Sequence, residues 1–107
     1  MNEYKVKKGR AFDNDMERSH VYLSRGNYHE NMINEIFETV YTSLKRLSTS
    51  PKIGAKLSNK TTIPNEYRYL VSGDYLIFYK IYEKEELVKI FHVYYGKENY
   101  LSKLNLN

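Results

Sequence analysis

The sequence predicts an α+β domain. It has an N-terminal strand, an antiparallel helical hairpin packed on a mainly antiparallel twisted sheet, and a short C-terminal helix. Three observations carry this. Two segments in the first half repeat apolar residues at helical spacing. Three aromatic and β-branched runs follow between Glu66 and Tyr100, separated by two short polar turns. A Ser-Thr-Ser-Pro break at 48–51 divides the two halves.

The elements follow in order. Tyr4 to Lys8 alternates as a short strand with Tyr4 and Val6 on one face, and Gly9 ends it. Arg10 to Arg25 is a first helix, its narrow stripe formed by Phe12, Met16, Ser19 and Leu23. Asp13, Asp15 and Glu17 suit the positive end of its dipole, and Gly26 stops it. Asn27 with Glu30 reads as a capping box for a second helix. That helix carries Ile33, Ile36, Phe37, Val40, Leu44 and Leu47. So short a link makes the two helices an antiparallel hairpin. Pro51 to Pro64 reads as a polar, basic connection that holds at most a short strand.

Tyr67–Val71, Tyr75–Tyr82 and Leu87–Tyr94 are the main strands, joined by turns at Ser72-Gly73-Asp74 and at 83–86. In the second, Ile77, Tyr79 and Ile81 share one face, and Leu76, Phe78, Lys80 and Tyr82 share the other. In the third, Val93 is out of phase with Val88 and Ile90, which predicts a bulge near Phe91-His92. Tyr100, Leu101 and Leu104 have the spacing of a terminal helix.

The chain has 107 residues, a single domain's worth. Its formal charge of +4 fits an acidic partner. Without cysteine, disulfides, thiolate metal sites and cysteine nucleophiles are excluded. That composition suits the cytoplasm. The first ten residues lack the apolar segment of a signal peptide, and no run approaches the roughly 20 apolar residues of a membrane span. His20, His29 and His92 lack ligand spacing, so no metal and no cofactor are expected. Phosphate-cradling and dinucleotide glycine patterns are absent.

Two kinds of chemistry remain. Metal-free RNA cleavage needs a base, an acid and a cation, for which Arg68, His92, Tyr94 and Lys97 are the candidates, with Tyr95 beside them. Partner binding would use Arg68, Lys80, Lys89, Tyr95 and Lys97, spread over the meander and its tail. Tyrosines interleaved with these cations would also suit gripping single-stranded RNA.

The order of elements resembles the RelE/ParE superfamily of bacterial toxins from type II toxin–antitoxin systems. Tyr4-Lys5-Val6 is similar to its first strand, and Ala11, Asp15-Met16 and Tyr22-Leu23 to its first helix. Leu47, Pro51, Gly54 and Leu57 match the residues that close its hairpin. Tyr67-Arg68-Tyr69-Leu70, the run Gly73 to Tyr79, and Val93 to Tyr100 resemble its meander and tail. The resemblance implies a growth-inhibiting toxin, of the kind associated with plasmid maintenance, held inactive by a cognate antitoxin.

Within the superfamily, ParE-like members inhibit DNA gyrase, and RelE-like members cut mRNA on the ribosome. The ribonucleases place an arginine just after the position of Tyr75. Leu76 stands there in this chain, and Lys97 replaces the usual tail arginine. Arg68 and Gly73-Asp74-Tyr75 favour the ParE side. The ribonuclease alternative would draw on Lys52, Lys56, Lys60, His92 and Tyr94, and a further alternative is a non-toxic binding module.

Overall fold

The computed structural model describes residues 3–106. Strand β1 (Lys5–Lys8) leads into helix α1 (Arg10–Arg25) and helix α2 (Glu30–Thr49). A two-residue strand β2 (Ala55–Lys56) and a 3₁₀ turn (Leu57–Asn59) precede β3 (Arg68–Ser72), β4 (Tyr75–Tyr82) and β5 (Leu87–Tyr95). Helix α3 (Tyr100–Leu104) closes the chain. The sheet order is β1-β5-β4-β3-β2, antiparallel except where β1 runs parallel to β5.

The helical stripes do what their spacing requires. Phe12 and Met16 of α1 and Val40, Leu44 and Leu47 of α2 bury against Leu70, Ile77, Tyr79, Val88, Ile90 and Val93 of the sheet. The opposite face has a second, smaller core. There Leu57, Phe78, Tyr94 and Leu104 pack together, so the 3₁₀ turn and α3 cover part of the face that the hairpin leaves open. The domain thus has more than the two layers that the hairpin and sheet alone would form.

The predicted bulge is present. Phe78 pairs with His92 and Tyr79 with Ile90, leaving Phe91 as the extra residue on β5. It returns Val93 to the helix-facing side, in register with Ile77. The β3–β4 turn is a two-residue hairpin with Gly73 at φ 59°, the conformation for which a first-position glycine is selected.

The capping box does not form. Helix α2 begins at Glu30 with His29 as its N-cap and no side-chain cap bond. Asn27 instead takes a left-handed conformation, φ 66°, and turns the chain out of α1. A short polar side chain tolerates that region, so asparagine serves here as a helix stop.

Candidate functional site

Strand β1 accompanies β5 only as far as Ile90. Beyond that point β5 has an open edge, and α1 passes alongside it. Asp15 lies on the buried stripe of α1 between Phe12 and Met16 and is 3% exposed. Its Oδ2 accepts the Val93 N–H at 3.1 Å, doing for that amide what a neighbouring strand would do. The same oxygen lies 2.9 Å from His92 Nδ1, and Oδ1 accepts from Arg18 Nη2 at 3.1 Å.

A carboxylate against Nδ1 selects the tautomer with its proton there. Nε2 is then the acceptor of the neutral ring. Tyr94 stacks on His92 with ring centroids 5.0 Å apart, and its hydroxyl also lies 2.9 Å from Nδ1. Burial, and secondarily the Asp15 charge, push the Tyr94 phenol up to about 12, with Arg18 partly offsetting them. Tyr94 is therefore a neutral phenol near neutral pH, unsuited to act as a base.

His92 and Tyr94 are thus together. The other predicted residues stand apart. Arg68 is in register with Tyr79, on the helix-facing side of the sheet. Its Nη1 donates to the Gly54 carbonyl at 2.7 Å and approaches that of Lys52 at 3.4 Å. The guanidinium clamps the loop after α2. Tyr95 packs edge-on to Tyr75 at 5.9 Å, and Lys97 is exposed in the turn after β5. Lys80 and Lys89 lie on the opposite sheet face, in register with each other. Among the described residues no group of three or more acidic or histidine side chains gathers as a metal site would.

Asp15 was missed as a site residue because a helix dipole accounts for any early carboxylate. Its spacing of three from Phe12 is the signal that sets it on the core-facing stripe.

A groove of ≈ 1040 Å³ lies between the helical hairpin and the β3–β4 turn, lined by Asp15, Tyr22, Met32, Tyr75, Tyr94 and Tyr95 among others. Tyr22 at its rim is 74% exposed. Exposed aromatic side chains lining a concave surface are the usual mark of an interaction site.

The ParE toxin of type II toxin-antitoxin system, parDE, matches residues 6–100 as a family model. The chain belongs to the ParE toxin family. Solved structures similar to this ParE-family chain include the RelBE2 toxin–antitoxin complex from Mycobacterium tuberculosis. That one is 17% identical, covers 92% of this chain and 97% of its own, and has a TM-score of 0.60. An arginine double mutant of the E. coli toxin RelE in the free state is 14% identical, with coverages of 94% and 92% and a TM-score of 0.61. The isolated E. coli RelE toxin is 10% identical, with coverages of 94% and 93% and a TM-score of 0.57. At these identities the likeness is one of fold. No curated protein matches the chain. No described helix is long and apolar enough to cross a membrane.

The buried phenols of this ParE-family fold give an expected pH dependence. Tyr67, Tyr75, Tyr79 and Tyr94 are all raised above 10.0, each chiefly by burial. Their neutral forms favour folding, fully so below the unfolded value of about 10. That contribution is lost as pH rises through the folded values. Unfolding free energy from urea titrations should be level near pH 8 and fall from about pH 10 upward, each phenol contributing at most about 1.4 kcal/mol per pH unit. A level profile to about pH 11, or the same slope in Tyr94→Phe, would contradict this assignment.

Proposed function

We propose that this ParE-family toxin inhibits growth by occupying a protein target, with DNA gyrase the named candidate, and that a cognate antitoxin holds it inactive. The family match over residues 6–100 carries the reading. The placement of the cations agrees with it. Arg68 is bound to loop carbonyls on the helix-facing side, away from His92 and Tyr94, and Leu76 occupies the central-strand position. Arg68, Lys80, Lys89, Tyr95 and Lys97 are the proposed partner-binding residues. The antitoxin is supported by the solved complexes of similar fold, RelBE2 from Mycobacterium tuberculosis and intact E. coli RelBE. Toxin and antitoxin would meet in the cytoplasm. In a supercoiling assay the purified protein should abolish gyrase activity. Full supercoiling at high toxin excess would remove that target.

The Asp15–His92 pair favours a second reading, a metal-independent ribonuclease acting on ribosome-bound mRNA. An imidazole oriented through Nδ1 leaves Nε2 free to take a proton from a 2′-hydroxyl. Primer extension on a translated message should then show cuts that vanish in His92→Ala. An intact message with the wild-type protein would rule the reading out.

A further inference from the structure

Two lysines oppose each other on the open face of the sheet. Lys80 of β4 and Lys89 of β5 are cross-strand partners, an arrangement that destabilises a sheet when the charges are alike. Neither ammonium belongs to any ion pair formed among the described residues. Both residues are half-buried, their stems lying along the sheet.

Aromatic rings hold them in place. Lys80 Nζ lies 4.5 Å from the Tyr67 ring centroid and 5.2 Å from that of Phe91, and Lys89 Nζ lies 4.9 Å from Phe91. Phe91 is the extra residue of the bulge, and its ring lies within about 5 Å of both cations. Tyr67 meets that ring edge-on at 5.5 Å. Two like charges are thus fixed side by side on a rigid aromatic base, with a neutral phenol next to them as a hydrogen-bond donor.

We propose that Lys80, Lys89 and the Tyr67 hydroxyl form a seat for the carboxylates of an acidic, extended segment of the cognate antitoxin. The occupant rests on the toxin–antitoxin reading; the seat rests on the lysine pair. Carboxylates on alternate residues of an extended peptide lie about 7 Å apart on one face, so each of two ammonium groups on adjacent strands can take one. A single-stranded nucleic acid would need open ring faces on which to stack bases, and here the ammonium groups occupy them.

The test is fluorescence anisotropy with a labelled peptide of alternating glutamate and alanine at low salt. The wild-type protein should bind it, and Lys80→Gln/Lys89→Gln should weaken binding about tenfold. Lys5→Gln/Lys7→Gln removes the same charge from β1 and should bind as the wild type does. Lys80→Glu/Lys89→Glu should refuse the glutamate peptide and take an alternating lysine–alanine peptide, an exchange that misfolding does not produce. Equal weakening in the Lys5/Lys7 variant would reduce the effect to net charge and overturn the seat. Tighter binding of an oligothymidine of matching charge, lost with the Lys80/Lys89 pair, would make the face a nucleic-acid surface instead. Growth on induced expression without antitoxin tests the toxin reading separately. A harmless chain that still binds the peptide would overturn the antitoxin as occupant while leaving the seat.

Discussion

Gly54→Ala is expected to destabilise the domain by about 3–4 kcal/mol. The reason is contact, since Gly54 does not adopt the left-handed conformation that only glycine tolerates well. A Cβ at that position would stand 2.5 Å from the Tyr79 hydroxyl, 2.6 Å from the Tyr69 carbonyl oxygen and 2.9 Å from Tyr79 Cε1. The carbonyl belongs to the sheet backbone and the ring is fully buried, so neither can yield cheaply. Moving the loop aside instead would break three interactions. Gly54 N–H donates to the Tyr79 hydroxyl at 2.9 Å, that hydroxyl donates to the Pro51 carbonyl at 2.8 Å, and Arg68 donates to the Gly54 carbonyl. In a chain of 107 residues each kcal/mol shifts Tm by about 4–8 °C. Thermal unfolding followed by circular dichroism should therefore show a drop of about 12 °C or more.

Tyr79→Phe separates the clash from the hydrogen bonds. Alone it leaves the Gly54 N–H and the Pro51 carbonyl without their buried partner, at a cost of about 2 kcal/mol. Combined with Gly54→Ala, it removes one atom that the new methyl meets. The double variant should then be less destabilised than the two single effects imply, by about 1 kcal/mol. It should not recover fully, because the Tyr69 carbonyl remains in the way. Strict additivity would show that the hydroxyl is not what the methyl encounters.

The same loop shows what the sequence makes legible. Helical spacing located both helices, and the phase error at Val93 located the bulge, because each is a local pattern that burial enforces. Gly54 was readable as a turn glycine, yet its necessity comes from Tyr79, 25 residues away in sequence. Arg68 read as a free cation suited to a partner or a phosphorane. Its engagement with two loop carbonyls depends on how the loop returns over β3, which no local pattern encodes. Lys80 and Lys89 were both visible as strand cations. Their direct opposition depends on strand register, set jointly by the turn at 83–86 and the pairing of β4 with β5. Asn27 illustrates the opposite error. Its side chain fits a cap or a left-handed stop equally well, and only the path of the chain decides between them.

Asp15 offers the sharpest separation between the two functional readings. Asp15→Ala should cost about 3 kcal/mol, since it leaves the Val93 N–H without an acceptor and His92 Nδ1 with the Tyr94 hydroxyl alone, in a site that is nearly closed to water. The exposed Arg18 contact adds little to that figure. Asp15→Asn keeps the shape and one acceptor oxygen, so a loss of about 1–2 kcal/mol is expected and the protein should stay folded. Oδ2 faces both the Val93 N–H and His92 Nδ1, so the amide oxygen takes that place and the NH2 turns toward Arg18. The ring keeps its proton on Nδ1 but loses the carboxylate charge beside it. Nitrogen NMR of the imidazole should therefore find the proton on Nδ1 in both the wild type and Asp15→Asn. A wild-type ring protonated on Nε2 would contradict the pairing described for His92. Activity then follows from the same variant. If the toxin acts by occupying a protein, folded Asp15→Asn should inhibit as the wild type does, because the side chain is only 3% exposed. If His92 is a general base, the imidazolium formed as it takes the proton loses its counter-charge, and cleavage should fall by about tenfold or more. One conservative substitution thus leaves binding intact and weakens proton transfer, and the outcome decides which of the two the Asp15–His92 pair serves.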